Sequence, residues 1–159
     1  MNKKLVVYFS YTGHTKMIVD KIKEKLDCAV LEIETVIPYS TDYDTVVNDE
    51  QNSERSNFLP EIKDININLN NYNEIILGTP VWWYRPAPAI RSFLTKYDLT
   101  GKTVIPFATN AGWLGKTFIE ITNMCPNSNI RNNMNIVFES DADNLVTSED
   151  EIDNWIKTI

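Results

Sequence analysis

The sequence predicts an α/β protein of three layers, a doubly wound parallel sheet of five strands with helices on both faces. Five short runs rich in apolar and β-branched residues recur along the 159-residue chain, as expected for strands buried on both sides. Segments with helical spacing of apolar residues separate these runs, and such alternation is typical of parallel sheets with right-handed crossovers. The length suits one domain and no repeat or linker interrupts it, so we expect residues 1–159 to form a single domain.

The predicted strands are, in chain order, LVVYFS, AVLEIETV, EIILGTPV, TVIPFATN and NMNIVFES. A helix is predicted after the first strand because Ile18, Val19, Ile22 and Leu26 share one helical face. Two further helices are predicted at AIRSFLTKY and GKTFIEITNM. The last helix, SEDEIDNWIKTI, begins with a serine that a glutamate follows three residues later, which is the pattern of a capping box.

A connection of about 40 residues separates the second predicted strand from the third, too long for an unstructured loop in a compact domain. We predict one helix at YDTVVNDEQNSERSN and an irregular return at LPEIKDININLN.

The composition, with 43% hydrophobic and 23% charged residues, indicates a soluble globular protein. A formal net charge of −7 argues against nucleic-acid binding, which needs clustered Lys and Arg. No apolar run approaches the length of a membrane span and the N-terminal run is too short for a signal peptide, so we expect a cytoplasmic protein without membrane insertion. The acidic charge suits transient docking on basic partner proteins, and we expect a monomer or a weak dimer.

Neither the two cysteines nor a partial P-loop match indicates a metal site or a nucleotide site. Cys28 and Cys125 lie far apart without a neighbouring Cys or His, so we predict buried free thiols and no metal site. The GKT at residues 115–117 matches the end of a nucleotide P-loop, but Asn110 stands where that motif requires glycine, and the segment follows the wrong strand.

Ligands of open parallel sheets bind beyond the carboxyl ends of the strands, and SYTGHT follows the first predicted strand there. Ser10, Thr12 and Thr15 supply hydroxyls, and Gly13 lets the backbone approach a ligand. With the N–H groups and dipole of the next helix, the segment predicts a phosphate site that needs no Lys or Arg. The alternative is an ordinary strand–helix turn with a threonine cap. His14, the single histidine, has no identifiable role as base or metal ligand and is expected at the loop surface.

The loop after the third predicted strand carries three consecutive aromatic residues, Trp82, Trp83 and Tyr84, before Pro86 and Pro88. Adjacent aromatic residues in a loop lack the spacing of a core face, so one of the two tryptophans is expected to point into the core. The other is left at the mouth of the sheet, where a flat ring could stack on it. A hydrophobic protein interface is the rival interpretation.

The loop after the fourth predicted strand, TNAGWLGKT, is polar and glycine-rich and contains a further tryptophan, Trp113. The three loops therefore surround one crevice with a phosphate site, an aromatic wall and a flexible cover. A ligand with a phosphate at one end and a flat ring at the other satisfies all three, and flavin mononucleotide (FMN) is the natural candidate.

These motifs resemble those of the flavodoxins, in particular a short flavodoxin-like group with YFSxTGxT in the first loop and GxPxWW…P in the third. GKTVIPFAT, residues 101–109, matches a further motif of that group, and the similarity covers essentially the whole chain. The resemblance implies the strand order 2-1-3-4-5.

The resemblance also implies a role in FMN binding for particular residues in each loop. The phosphate is expected to be held by Ser10, Thr12, Gly13, His14 and Thr15. The isoalloxazine ring is expected to be lined by Pro80, Val81, Trp82, Trp83 and Tyr84. Its other side is expected to be covered by Thr109, Asn110, Ala111 and Gly112, with Gly115 helping the last loop to turn.

The chain departs from the flavodoxin pattern at two positions. His14 stands where flavodoxins usually have asparagine. The loop from Thr79 to Pro88 has no glycine, and Tyr84 occupies a position where related proteins often have one. In flavodoxins a glycine peptide beside the ring often turns to meet the reduced flavin, so its absence favours two-electron over one-electron chemistry.

The resemblance implies an FMN-binding redox protein that acts in electron transfer with transient redox partner proteins. One alternative is a small FMN-dependent NAD(P)H:quinone-type oxidoreductase, so the sequence leaves open whether the protein is an enzyme. Another is a cofactor-free interaction module that uses Trp82, Trp83 and Trp113 as an interface. No catalytic side chain is predicted, because no nucleophile–base pair is recognisable.

Overall fold

A parallel sheet lies at the centre of the molecule. The computed structural model describes the backbone of residues 3–55 and 57–159, and the side chains of all of these except residues 53–55. The strands are β1 (Lys4–Tyr8), β2 (Ala29–Glu32), β3 (Glu74–Trp82), β4 (Arg85–Pro86), β5 (Thr103–Asn110), β6 (Asn129–Ile130) and β7 (Met134–Val137). The order β2-β1-β3-β5 is parallel throughout, which confirms the arrangement of the first four predicted strands.

The edge of the sheet beyond β5 differs from the prediction of one fifth strand. Both β6 and β7 pair with β5 in parallel, β6 beside Thr103 and Val104 and β7 from Phe107 onwards. Val104 pairs with Ile130 and Phe107 pairs with Met134, so the edge advances by four residues where β5 advances by three. The edge therefore accommodates one extra residue, as in a bulge. Asn132 has a φ of 52° there, and such a left-handed residue interrupts an extended strand.

Within the residues that the structure describes, five α-helices flank the sheet, as predicted. They are α1 (His14–Lys25), α2 (Tyr43–Arg55), α3 (Pro88–Lys96), α4 (Thr117–Met124) and α5 (Glu149–Lys157). Alternate residues of β1 point to opposite faces, so Leu5 and Val7 join one core cluster while Val6 and Tyr8 join the other. Residues of α3 and α4 pack in the first cluster, and those of α1 and α5 pack in the second.

The predicted ends of two helices can be checked directly. The N–H of Glu151 donates to the Ser148 hydroxyl at 3.1 Å, which confirms the serine cap of α5. Ile152, Trp155 and Ile156 of that helix are buried. Pro88 is the first residue of α3, where its missing N–H is harmless.

The long connection between β2 and β3 contains the predicted helix, α2, although Ser56 at its predicted end lies outside the described residues. The return is irregular, with a 3₁₀ turn at Leu69–Asn71 and an antiparallel bridge between Thr35 and Ile62.

Two other expectations concern the thiols and the membrane. Cys125 is buried as predicted, but Cys28 is only half-buried, and both thiols are free. No helix in the described part of the chain combines the length and the apolar character that crossing a membrane requires.

Candidate functional site

A cavity of about 670 Å³ lies beyond the carboxyl ends of the parallel strands. Its walls come from the loop after β1, from α2, from residues 80–84, from the loop after β5 and from residues 138–143 after β7. Three of these segments are the loops that the sequence singles out. The topology therefore brings the predicted phosphate, ring and cover segments to one place.

Ten of the fifteen predicted site residues line this cavity: Thr12, His14, Pro80, Val81, Trp82, Trp83, Tyr84, Thr109, Asn110 and Ala111. The other five do not line it: Ser10, Gly13, Thr15, Gly112 and Gly115. These five residues shape the loops through backbone angles and hydrogen bonds described below. The role of each of the fifteen residues in binding a cofactor stays a prediction.

The first loop leads directly into the N-terminus of α1. Gly13, the residue before α1, has a φ of 101° and, as a glycine, has no side chain that could cap the helix. A Cβ at Gly13 would meet no atom within 4 Å, and the first turn of α1 contains no acidic residue. The positive end of the helix dipole is therefore accessible beside the cavity, an arrangement that suits an anion.

Two hydroxyls of the first loop already have partners within the protein. The Ser10 hydroxyl accepts the Lys16 N–H at 3.3 Å. Thr15 is 1% exposed, and its hydroxyl lies 2.7 Å from that of Thr109, either of which donates the proton. This pair fixes the start of α1 to the end of β5.

His14 is the first residue of α1, so the expectation of a loop-surface histidine was wrong. Its ring stacks on Phe138, with centroids 4.1 Å apart and planes 2° from parallel. Its Nε2 lies 2.9 Å from an Asp143 carboxylate oxygen. The histidine thereby joins the first loop to the segment after β7.

The aromatic segment is a tight β-hairpin turn and not the open loop that the sequence suggests. Trp82 is the last residue of β3 and pairs with Arg85 of β4, so only Trp83 and Tyr84 form the turn. Their φ angles are 50° and 64°, the left-handed signature of a two-residue type I′ hairpin. Such angles are unusual for bulky residues.

The loop after β5 supports this turn from outside the cavity. The Lys116 N–H donates to the Tyr84 carbonyl at 2.9 Å. A Cβ at Gly115 would lie 2.3 Å from the Tyr84 Cβ, so only glycine permits this approach, and its φ of 57° is also left-handed. Beside the turn, the Arg85 guanidinium Nε donates to both carboxylate oxygens of Glu120 at 2.8 Å.

Trp82, at the end of β3, packs against other aromatic rings. Trp82 makes edge-on ring contacts with Phe9 and Tyr11 at 5.8 Å and with Tyr39 at 5.2 Å. It therefore packs against the core cluster on that face of the sheet. Burial raises the pKa of the Tyr39 phenol above its ordinary value, and this hydroxyl has no hydrogen-bond partner among the described residues.

Asn110 shapes the loop that follows β5. Its side-chain oxygen accepts the N–H groups of Gly112 and Trp113 at 2.9 and 3.0 Å. Its amide donates to Asn135 of β7 at 2.7 Å. Since both ends of this side chain are engaged, Asn110 holds the loop in shape beside the cavity.

Two walls of the cavity were missed by sequence reasoning. One is α2, which contributes Tyr43, Val46 and Val47. The other is the segment from Phe138 to Asp143. The polar run DADN, residues 141–144, directly after the last predicted strand could have indicated the second, because that strand also ends at the carboxyl edge.

The charge of the cavity wall is negative. Glu139, Asp141 and Asp143 belong to the lining, whereas no Lys or Arg does among the residues that the structure describes. Asp143 faces His14.

The chain matches a family model described as flavodoxin over residues 3–159. It is similar to the structure of a candidate flavoprotein from Bacteroides eggerthii DSM 20697, with 27% identity, a TM-score of 0.78 and coverage of 100% of this chain and 98% of that one. It is also similar to a flavoprotein from Lactobacillus acidophilus NCFM solved in complex with FMN, with 26% identity, a TM-score of 0.74 and coverage of 98% and 99%. A Fusobacterium nucleatum flavodoxin bound to FMN, at 16% identity, a TM-score of 0.58 and coverage of 99% and 96%, shares the fold. No curated protein matches the chain.

Proposed function

The chain belongs to the flavodoxin family, and from this premise we propose that it binds FMN in the cavity and acts as a redox protein in electron transfer. The observation that carries the proposal is the cavity itself. At its edge it joins the accessible N-terminus of α1 to a wall of aromatic residues. The FMN complex of the similar Lactobacillus acidophilus flavoprotein supports the choice of cofactor.

The residues at the start of α1 fit a phosphate group. The N–H groups of His14 and Thr15 and the Thr12 hydroxyl would hold it, since the Lys16 N–H already donates to Ser10. The open space beside Gly13 allows close approach. The three carboxylates of the lining oppose an anion, but Asp143 is paired with His14. The helix N-terminus is therefore the favourable place for the phosphate within an otherwise acidic cavity.

The aromatic residues of the hairpin turn fit the flat ring. Trp83 and Trp82 both line the cavity, and Ala111 and Trp113 lie in the wall contributed by the loop after β5. These side chains would hold the ring by stacking and would exclude water from it.

When bound, FMN supplies the electron chemistry, and the chain positions it and tunes its potential. The carboxylates of Glu139 and Asp141 and the apolar turn both disfavour added negative charge in the cavity. We therefore expect a reduction potential below that of free FMN. No side chain is assigned as an acid or a base.

The proposal is tested by titrating the purified protein with FMN and, in parallel, with riboflavin, while flavin fluorescence is recorded. We expect quenching by FMN that saturates at one equivalent. Riboflavin, which lacks the phosphate, should bind at least about tenfold more weakly, since a charge-assisted site is lost. Unquenched FMN fluorescence would overturn the proposal and would favour a cofactor-free interaction module.

Stopped-flow mixing of the FMN-loaded protein with NADPH and a quinone distinguishes the two hypotheses, an electron carrier and a small oxidoreductase. A pure carrier reduces the quinone slowly unless a partner reductase is added. Rapid turnover without a partner would favour the NAD(P)H:quinone-type oxidoreductase instead.

A further inference from the structure

His14, the single histidine of the chain, lies where the first loop meets the segment after β7. Its ring stacks on Phe138, and its Nε2 lies 2.9 Å from a carboxylate oxygen of Asp143. The side chain of His14 is 21% exposed, whereas that of Asp143 is 81% exposed. The imidazole is therefore held at the wall of the cavity between an aromatic ring and a carboxylate that water can reach.

The segment that carries Asp143 is an ordered loop with its own contacts. Phe138 and Leu145 close it through an antiparallel bridge. Within it, the Glu139 N–H donates to the Asn144 carbonyl at 2.8 Å, and the Asn144 amide donates to the Glu139 carboxylate at 3.2 Å. These contacts present the Asp143 carboxylate to His14 from a defined backbone.

The charges around the imidazole act in opposite directions. His14 is the first residue of α1, and the positive end of the helix dipole disfavours a second positive charge there. The lysines that follow on α1 are paired, Lys16 with Asp20 and Lys21 with Glu149 of α5. The other walls of the cavity, from α2, the hairpin turn and the loop after β5, contribute no charged side chain to the lining among the described residues. A protonated imidazole is favoured by the carboxylates of the segment after β7, which are Glu139, Asp141 and Asp143.

A phosphate group at the start of α1 changes this balance. The N–H groups of His14 and Thr15 are the proposed phosphate donors, so the negative charge would lie beside the same residue that carries the imidazole. Histidine is the side chain that ordinarily changes its charge between pH 5 and 8. The second ionisation of a phosphate ester lies near pH 6, so the group is mainly a dianion above that pH.

We propose that His14 and Asp143 make the binding of FMN proton-linked, because His14 takes up a proton when the phosphate docks and the imidazolium then offsets both the phosphate and the Asp143 carboxylate. This inference rests on the proposed function, since the phosphate belongs to bound FMN. The proton comes from solvent and stays on the imidazole, and no covalent bond to the ligand forms. The affinity for FMN therefore rises as the pH falls from about 8 to about 6.5, whereas the affinity for riboflavin, which has no phosphate, does not.

The test is a flavin fluorescence titration at about pH 8 and about pH 6.5, with FMN and with riboflavin. FMN should bind the wild-type protein about fourfold more tightly at the lower pH. His14→Asn replaces the ionisable ring by a neutral amide, so its affinity for FMN should not rise as the pH falls. A wild-type affinity for FMN that does not rise, or an equal rise in His14→Asn or with riboflavin, would overturn the proposal.

Two matched variants test the part of Asp143. Asp143→Asn and Asp141→Asn each remove one carboxylate from the lining, but only Asp143 contacts His14 among the ion pairs of the described residues. Asn tolerates the φ of 59° at Asp141. The imidazole NMR signals of His14 are unambiguous because the chain has one histidine. At pH 7 they should show a smaller protonated fraction in Asp143→Asn than in Asp141→Asn, and equal fractions would overturn the role of Asp143.

Isothermal titration calorimetry separates the failure of this inference from that of the FMN proposal. Titration of wild-type protein with FMN at pH 7, in two buffers that differ in ionisation enthalpy, counts the protons taken up. We expect about half a proton for each FMN bound. FMN binding without proton uptake would overturn this inference and leave the proposed function standing, whereas no binding at either pH would overturn both. This measurement needs no variant, and circular dichroism reports whether each variant is folded.

Discussion

Trp82 and Trp83 are neighbours in sequence with different structural environments. Three aromatic rings contact Trp82, which belongs to the periphery of the core. Trp83 lies in the turn with a left-handed backbone and lines the cavity without belonging to either core cluster. The sequence predicts this division of roles but cannot assign it, because the assignment depends on where β3 ends.

Replacement of each tryptophan by alanine should separate stability from binding. Trp83→Ala is expected to weaken FMN binding by about 1–3 kcal/mol, the range measured for aromatic–base stacking, with little effect on the free energy of unfolding. Trp82→Ala is expected to lower the free energy of unfolding by about 2–4 kcal/mol through lost ring contacts. The measurements are FMN titration and urea unfolding of both variants. Equal effects of the two substitutions on both quantities would contradict the assignment.

Tyr39 and Tyr11 provide a matched pair of phenol deletions beside Trp82. The Tyr39 hydroxyl is buried without a partner among the described residues, so Tyr39→Phe is expected to be neutral or to stabilise by up to about 1 kcal/mol. The Tyr11 hydroxyl donates to Ser40, so Tyr11→Phe is expected to destabilise by about 1 kcal/mol. Urea unfolding measures both, and a larger loss for Tyr39→Phe would contradict the account.

His14 illustrates the limit of sequence reasoning at single residues. The sequence places it in the predicted phosphate loop, and it does line the cavity. Its stacking on Phe138 and its contact with Asp143 involve residues more than 120 positions away in the chain. No local pattern carries that information, because the two segments meet only when the sheet has formed.

The conformation of the hairpin turn depends on contacts from outside the turn. Two bulky residues occupy left-handed positions that favour glycine, asparagine or aspartate. The contact with Gly115 and the hydrogen bond from Lys116 hold the turn in place. The turn is therefore expected to lose its shape when this support is removed, although neither supporting residue lines the cavity.

Gly115→Ala tests the support of the turn. The new Cβ would lie 2.3 Å from the Tyr84 Cβ, so the turn must shift, and we expect FMN affinity to fall about tenfold or more. Gly101→Ala is the control, because Gly101 also has a left-handed φ, 81°, but its Cβ would meet no atom within 4 Å. It should cost about 1 kcal/mol of stability and leave FMN affinity unchanged. FMN titration of both variants measures this difference. Unaltered affinity in Gly115→Ala would contradict the role of Gly115 in supporting the turn.

At the level of elements, the buried strands and the helices between them could be predicted because hydrophobic periodicity is a local signal. The predicted runs TVIPFATN and EIILGTPV correspond closely to β5 and β3. The short strand β6, which precedes the predicted run NMNIVFES, was not predicted. Asn132, between β6 and β7, has a left-handed φ and donates its side-chain amide to the Thr158 carbonyl after α5, a contact that no local pattern shows. The position of α2 over the cavity is likewise a tertiary feature that its own sequence does not encode locally.

At the scale of the whole molecule, the topology gathers loops from distant parts of the chain at one edge of the sheet. This much follows from the predicted strand alternation, and the cavity lies where that rule places it. Of the two walls that were missed, α2 carries no functional motif, whereas the segment after β7 is marked only by its polar residues. The acidic character, a net charge of −7, was available from composition alone.

This charge predicts the salt dependence of electron transfer. The FMN-loaded, reduced protein should transfer electrons to a strongly basic acceptor such as cytochrome c more slowly as ionic strength rises. Screening shortens the Debye length from about 30 Å at 0.01 M to about 10 Å at 0.1 M salt, and rates of steered association can fall about tenfold. With ferricyanide, an anionic acceptor, the rate should rise instead. Stopped-flow absorbance measures both, and the same trend for the two acceptors would contradict electrostatic steering by the acidic surface.

The central claim, that FMN lies across the cavity from the start of α1 to the hairpin turn, is tested most directly by amide-resolved NMR. The protein is titrated with FMN and then, in a second sample, with riboflavin. The account predicts that FMN shifts the amides of Thr12 to Thr15 and the indole signals of Trp82 and Trp83, and that riboflavin shifts the indoles but not the loop. Shifts confined to another surface, or identical loop shifts with both ligands, would contradict it.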